Sequence, residues 1–181
     1  VRIYSAGVVD PSFDARFSAL GRSYAYRVSD RPEPLGRWDR LWVEETLDEA
    51  AMNEAGVALL GEHDFLGFCR PREGATTIRT LRTLRAERDS EGTLVFRVEA
   101  DAFCHSMVRS LVGALLLVGS GARDTDYPAQ ILRARSRSEA APIAPAHGLT
   151  LEGVEYPDPS QWGARAEQAR ARRDTCCGDD G

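Results

Sequence analysis

The strongest constraint on the fold lies in residues 103–118, where helical spacing is apolar on nearly every side. A helix that is apolar all round must be covered by other elements. Its longest apolar run, residues 112–118, is far shorter than the roughly 20 residues that cross a bilayer. The sequence therefore predicts a core helix and no membrane span.

One charge, Arg109, lies inside this apolar helix. Removing a guanidinium from water without a partner costs several kcal/mol, so a buried Arg109 needs a carboxylate, a phosphate or several carbonyl groups. The alternatives are that Arg109 reaches the surface, or that it pairs with an acid such as Asp101 for packing alone. His105, four positions earlier, either contacts phosphate or the same pocket, or is a structural histidine.

The periodicity of the apolar residues predicts an α+β fold with a mixed, largely antiparallel sheet flanked by helices. Period-two alternation and β-branched residues predict strands over 1–9, 23–29, 78–88, 93–99 and 148–156. Helical spacing predicts helices over 47–59, 103–118 and 127–135, and residues 63–75 and 140–147 are interpreted as irregular. The first helix is predicted to open with a capping box at Thr46 and Glu49 and to end at Gly61.

Residues 1–157 are predicted to form one lobe, followed by a polar, flexible tail over 158–181. The first ten residues lack the basic segment and apolar run of a secretory signal. The chain has no initiator Met and opens on a strand-like pattern, so we expect it to begin inside a longer protein.

The cysteines of the sequence bear on the cellular compartment, and its arginines bear on the binding partners. Cys69, Cys104, Cys176 and Cys177 contain no C-x-x-C pair, so the sequence predicts neither a disulfide framework nor a zinc site, and favours a reducing cytoplasm. All 23 basic residues are arginine, the better planar ligand for phosphate. The net charge of -5 argues against a general nucleic-acid binder.

The charge is unevenly distributed along the chain. Residues 31–64 carry three arginines against nine acids, whereas residues 70–88 carry six arginines against two acids. Salt screens charges that are separated by more than a Debye length of about 8 to 10 Å. The basic stretch can therefore contact a phosphate backbone although the net charge of the chain is negative. The alternative is a solvated strand edge.

Two further patterns could carry chemistry. Tyr24 and Tyr26 share one strand face, which suits either an unstacked base or ordinary cross-strand packing. His63 and Asp64 are interpreted as turn chemistry rather than as an acid/base pair. Motifs of P-loop NTPases, dinucleotide-binding proteins, α/β-hydrolases and zincins are absent from the sequence.

Six collinear blocks resemble the tRNA pseudouridine synthase A family, in the part that follows its catalytic aspartate. The blocks are residues 13–19, 22–26, 60–69, 76–80, 102–113 and 144–149, closing on 155–157. The resemblance implies an RRM-like fold around a central cleft, a cytoplasmic homodimer, and isomerisation of uridine in the anticodon stem-loop of tRNA. It also implies an aspartate nucleophile, with no cofactor and no metal.

The resemblance assigns roles to individual residues. Tyr24 is expected to lie against the flipped base, and Arg109 to hold the nucleophilic aspartate in its ionised form. Pocket residues are expected to be His105, Gly148 and Leu149. Contacts with the RNA backbone are expected from Arg22, Arg70, Arg72 and Arg79.

The chain departs from the family pattern at the nucleophile. The family carries its aspartate in an Arg-Thr-Asp-Ala-Gly-type motif that residues 1–181 lack, while Asp10, Asp14 and Asp101 lie in other contexts. Gly67 also replaces a usual Ser. We therefore expect the parent protein to be the enzyme and this chain alone to be inactive. The alternatives are a non-catalytic RNA-binding module, a subunit completed in trans, or an interaction domain without RNA.

Overall fold

The computed structural model describes residues 2–70, 72, 75–136 and 140–174, in which six β-strands and four α-helices occur. The strands are β1 (Gly21–Ser29), β2 (Leu41–Trp42), β3 (Gly61–Asp64), β4 (Ile78–Arg88), β5 (Leu94–Ala100) and β6 (Leu149–Glu155). The helices are α1 (Glu49–Val57), α2 (Met107–Gly119), α3 (Tyr127–Ala134) and α4 (Trp162–Asp174).

All six strands belong to one sheet with the order β2-β1-β5-β4-β3, and β6 pairs with β1 on the edge that β2 also uses. The short β1–β2 pairing is parallel and the other pairings are antiparallel. The predicted α+β class with a mixed, largely antiparallel sheet is confirmed.

Alternation along the strands separates an apolar face from a charged one. In β5, Phe96 and Val98 are fully buried, whereas Arg97 and Glu99 are exposed. The buried side chains of the sheet form one core with those of α1, α2 and α3. The opposite face is solvated and carries ion pairs such as Arg97 with Glu152.

Helix α2 is the centre of this core, and most of its residues are buried. A Cβ atom at Gly113 would overlap the Pro142 carbonyl oxygen, so only glycine lets the 140–147 loop lie directly on the helix backbone. Ala144 N donates to Arg109 O at 3.1 Å and fixes the loop there. No helix within the described ranges has the length and apolarity needed to span a membrane.

Helix α1 begins later than the sequence predicts. Its N-cap is Asp48, whose carboxylate accepts from Ala51 N at 3.0 Å, so the capping box at Thr46 and Glu49 is wrong. The cause is tertiary, because Asp30 accepts from the N–H of Leu47 and fixes the preceding chain outside the helix.

The end of α1 and the segment after it also differ from expectation. The helix ends at Val57, and Gly61, with φ of 102°, begins β3 instead of capping the helix. Residues 63–64 continue this strand and residues 66–68 form a 3₁₀ turn, so the irregular interpretation of 63–75 fails there. The four residues of β3 are too few for a period-two pattern to be recognised in the sequence.

The strand predicted over residues 1–9 is wrong for its described part, residues 2–9. These residues form no strand, and Ile3, Tyr4 and Val8 are exposed. Strand propensity needs a sheet edge to pair with, and the edge of β1 is already used by β2 and β6.

Residues 159–174 form helical structure, whereas the sequence predicts a flexible tail after Pro157. A 3₁₀ turn over residues 159–161 leads into α4, where Ala166 is only 2% exposed. Trp162 packs on Phe13 with ring centroids 4.6 Å apart. Cys176 and Cys177 lie outside the described residues.

One side of β4 beyond residue 81 has no strand partner among the described residues. Asn53 of α1 lies against it, donating from Nδ2 to Ala86 O at 2.9 Å and accepting from Ala86 N at 2.8 Å. The side-chain amide thereby reproduces the two hydrogen bonds of a strand pair.

Arg88 joins the end of β4 to the segment before α1. Its guanidinium donates to both carboxylate oxygens of Asp30, at 3.0 and 2.6 Å, and the Asp30 side chain is 4% exposed. These hydrogen bonds from Arg88 hold the pKa of the Asp30 carboxyl below its ordinary value of 3.8.

We expect Arg88→Met to lower the free energy of unfolding by about 2 to 3 kcal/mol, because it leaves a buried carboxylate without its cation. The difference from wild type should be complete above the ordinary carboxyl pKa and disappear as pH falls through the lowered pKa of Asp30. Urea denaturation across this pH range measures it. Arg85→Met is the control, since Arg85 is 67% exposed, and should change stability by less than about 0.5 kcal/mol.

We expect Gly113→Ala to destabilise the protein by about 1 to 3 kcal/mol, because its methyl group must push the Pro142 backbone off α2. Gly56→Ala in α1 is the matched control. Its Cβ would come no closer than 3.4 Å to Leu84 O, so it should be neutral or stabilising. Equal melting temperatures for the two variants would contradict the close approach of the loop.

Candidate nucleic-acid interface

A cavity of about 650 Å³ opens beside the first half of β1. Its walls come from the segment before β1, from β3 and β4, from the 101–106 loop and from α4. We call it the arginine cavity because its lining includes Arg16, Arg22, Arg70, Arg72, Arg79 and Arg165. Among the described residues, the lining has two carboxylates, Glu62 and Asp101. The cavity is therefore strongly electropositive.

Phe17, Tyr24 and Phe103 supply the aromatic surface of the cavity. The Tyr24 ring is half-buried and meets the Phe103 ring edge-on, with centroids 5.2 Å apart. An aromatic face beside guanidinium groups suits a nucleic-acid base next to its phosphate.

Tyr26 lies on the same strand face but belongs to the core. It is fully buried, its hydroxyl donates to Pro145 O at 2.7 Å, and burial raises its pKa to about 12. Only Tyr24 of the predicted pair therefore lines the cavity. Packing is the correct interpretation for Tyr26.

Gly148 and Leu149 do not line the arginine cavity; they lie against Tyr26. A Cβ at Gly148 would come within 2.9 Å of the Tyr26 ring, and Leu149 pairs with Tyr26 across β1 and β6. Gly148 and Leu149 thus pack beside Tyr26, whose hydroxyl donates to the Pro145 carbonyl.

Arg109 is half-buried on α2, and its Nε donates to the Ala144 carbonyl. Among the described residues it forms no ion pair. The carboxylate of Asp101, the acid considered from the sequence, instead accepts from the N–H groups of Thr80 and Ala102. Arg109 does not itself line the cavity. Its Nη atoms remain available for an anion.

The loop before α2 brings His105 into the cavity wall. The predicted helix start at Phe103 is wrong, because α2 begins at Met107 after Ser106 with a left-handed φ of 69°. His105 is exposed, with Nδ1 3.1 Å from Ser106 Oγ, and its carbonyl accepts from Arg70 N at 2.9 Å.

A disulfide between Cys69 and Cys104 joins the same two segments, with Cα atoms 5.7 Å apart. This corrects the prediction that the cysteines form no disulfide. The sequence gives no signal for the pair, because the two cysteines are 35 residues apart and meet only when β3 and the 101–106 loop pack together. Cys104 also lines the cavity.

The basic stretch over residues 70–88 divides into two groups. Arg70, Arg72 and Arg79 line the cavity, as does Arg22 on β1. The other three form ion pairs elsewhere: Arg82 with Glu155, Arg85 with Glu87, and Arg88 with Asp30. The described part of the stretch is therefore divided between the cavity lining and ion pairs elsewhere, and contact with a phosphate backbone stays a prediction.

The remaining titratable pair does not form a catalytic site. Asp64 accepts from Leu66 N and from the Thr77 hydroxyl, while His63 Nε2 lies 2.9 Å from Leu60 O. The interpretation as turn chemistry is confirmed for Asp64. Within the described ranges, no three His, Cys, Asp or Glu side chains come together as metal ligands.

Sequence reasoning missed the wall formed by Arg16, Phe17, Arg165 and Ala169. The usable signal was the spacing of Trp162, Ala166 and Ala169, which places small or apolar side chains on one helical face. The high polarity of the segment concealed it.

Comparison with known proteins gives consistent matches. A family model described as tRNA pseudouridine synthase matches residues 55–157. The tRNA pseudouridine synthase A of Frankia casuarinae is 54% identical over 176 residues, which is 96% of this chain and 64% of the relative. The proteins of the same name from Streptomyces griseus and Streptomyces avermitilis are 52% and 49% identical, over 94% and 96% of this chain.

The chain spans a little over three fifths of the length of these relatives, between 61% and 64%. The identity of about one half is measured over nearly all of this chain. The chain belongs to the tRNA pseudouridine synthase A family.

Proposed function

We propose that this chain is the carboxy-terminal part of a tRNA pseudouridine synthase that acts on uridine in the anticodon stem-loop. The observation that carries the proposal is the arginine cavity, whose lining includes the Tyr24 ring together with Arg16, Arg22, Arg70, Arg72 and Arg165, none of which forms an ion pair with a described residue. Such cations suit a phosphate backbone, and the ring suits a base. The names of the relatives support tRNA as the substrate.

The reaction breaks the bond between uracil N1 and ribose C1′ and joins C5 to C1′. A proton leaves C5, and N1 gains a proton. These atoms are inaccessible in a stacked, paired uridine, so the target base must leave the stack. Tyr24 is the residue that we assign to lie against it.

Arg109 is assigned as the partner of the nucleophilic aspartate. The Arg-Thr-Asp-Ala-Gly-type motif does not occur in residues 1–181, and we propose that the aspartate comes from sequence outside this chain. With Nε held by Ala144 O, the Nη atoms of Arg109 can face a carboxylate. A neighbouring guanidinium lowers the pKa of a carboxyl group and keeps it ionised, as a nucleophile must be.

The direct test is release of tritium from tRNA labelled at uracil C5. We expect none from this chain alone. We expect release from a chimera that joins the motif-bearing segment of the Frankia casuarinae relative ahead of this chain. The motif aspartate changed to asparagine is the control and should abolish release.

Two results would contradict the proposal in different ways. Release by the 181-residue chain alone would mean that the nucleophile lies within it. A folded chimera that binds tRNA and releases no tritium would mean that the chain does not complete this active site.

In the active chimera, we expect Arg109→Ala to lower kcat by about 100-fold or more while tRNA affinity is largely kept, since the residue acts on the nucleophile. Arg109→Lys should retain a fraction of the activity, because it keeps the charge and loses the Nε contact. Arg133→Ala, which removes an exposed arginine of α3, is the matched control. An equal loss of tRNA affinity in Arg109→Ala would make Arg109 a phosphate contact instead.

A second candidate is an RNA-binding module without catalysis, or a subunit completed in trans. The observation that favours it is the lack of the aspartate motif in residues 1–181. Mixing this chain with the separate motif-bearing segment discriminates the two forms: activity in the mixture indicates completion in trans.

We also propose a homodimer in the cytoplasm, where tRNA is modified. The small residues of α1 do not support the dimer, because Met52, Ala55 and Gly56 are buried inside the chain. Light scattering of the purified protein measures the state of assembly.

A further inference from the structure

Helix α4 lies beyond residues 55–157, the range of the family model. It is nevertheless firmly docked on the segment that precedes β1. Ser18 Oγ donates to Trp162 O at 3.0 Å, and Arg170 forms an ion pair with Asp14 at 2.8 Å. The Arg170 guanidinium also lies 5.0 Å from the centre of the Phe17 ring. These contacts hold the helix against the cavity.

The docked helix turns Arg165 and Ala169, one helical turn apart, toward the cavity lining. Arg165 is half-buried, yet among the described residues it donates no hydrogen bond and forms no ion pair. Its guanidinium therefore adds no polar contact to the fold. Ala169 leaves room beside it.

Arg165 and Arg22 both line the arginine cavity. Burial lowers the pKa of the Arg22 guanidinium from its ordinary value, and the charge of Arg165 acts in the same direction. Arg22 is held in place by the backbone carbonyls of Asp101 and Arg16, which do not neutralise it. An anion between the two guanidinium groups would relieve this repulsion.

The described arginines of the cavity differ in pairing from those of the sheet. Five that line the cavity form no ion pair among the described residues: Arg16, Arg22, Arg70, Arg72 and Arg165. Eight others each hold a carboxylate: Arg27, Arg40, Arg82, Arg85, Arg88, Arg97, Arg133 and Arg170. Six that lie outside the cavity lining also form no ion pair among the described residues: Arg2, Arg31, Arg37, Arg109, Arg123 and Arg135. The cavity is distinguished by bringing five such cations to one place.

We propose that α4 is an RNA-binding element, in which Arg165 together with Arg22 binds a backbone phosphate of the RNA at the cavity. The inference rests on the proposed function and adds a contact outside the matched family region. Guanidinium is the preferred planar ligand for phosphate. Because a phosphate contact reads no sequence, Arg165 contributes affinity and position rather than selectivity for a base.

The test is binding of a fluorescein-labelled anticodon stem-loop RNA to the full 181-residue chain, followed by anisotropy between about 50 and 200 mM salt. For Arg165→Gln we expect affinity about three- to tenfold weaker at low salt. The slope of log K against log salt should fall by about 0.7 to 1, the loss of one phosphate contact. Arg85→Gln, which removes the same charge from the opposite face of the sheet, should leave affinity and slope near wild type.

Two further variants separate phosphate binding from an effect on folding. Arg165→Lys keeps the charge and should retain most of the salt slope. Ala169→Glu places a carboxylate in the cavity wall and should weaken binding at least as much as Arg165→Gln. Circular dichroism melts should agree with wild type, because neither side chain makes a polar contact with the rest of the described chain.

Wild-type affinity and slope in Arg165→Gln, with the wild-type chain binding RNA, would overturn the role of α4 and leave the proposed function intact. No binding of RNA by the wild-type chain at low salt would overturn both. An equal loss in Arg165→Gln and Arg85→Gln would reduce the effect to net charge and would also overturn the inference.

Discussion

The need to cover an apolar helix on every side governs this structure. Helix α2 has the sheet on one side, and the 140–147 loop closes over it where Gly113 presents no side chain to Pro142. That contact brings the Ala144 carbonyl to Arg109 and sets the direction of its guanidinium. The contact of the 140–147 loop with α2 therefore covers the core helix and also orients Arg109, the proposed partner of the nucleophile.

Arginines on the solvated face of the sheet form ion pairs, whereas five arginines that line the cavity form none among the described residues. On the solvated face, cross-strand neighbours such as Arg27 and Arg97 share the carboxylate of Glu152, so the charge is balanced locally. At the cavity, Arg22 donates to backbone carbonyls and forms no ion pair with a described residue. An acidic protein can in this way keep one strongly basic recess, because charge acts over a short range in salt.

The periodicity of apolar residues predicted part of the fold. The strands with clear alternation, the core helix and the fold class follow from local pattern or resemblance. Of the site residues that the resemblance implies, Tyr24, His105 and four arginines line one cavity, whereas Arg109, Gly148 and Leu149 do not line it. Features that depend on tertiary contact could not be predicted. Residues 2–9 pair with no strand, Asp30 moves the start of α1, and packing alone brings Cys69 to Cys104. Helix α4 was missed because its apolar face is narrow and rich in alanine.

The amide of Asn53 has a consequence for how the protein behaves in a crowded solution. By occupying the N–H and C=O of Ala86, it ends the sheet with a helix where the longest strand would offer its backbone to another molecule. Open strand edges of this kind are templates for growth by intermolecular strand addition. A single polar side chain thus blocks the addition of a further strand at Ala86.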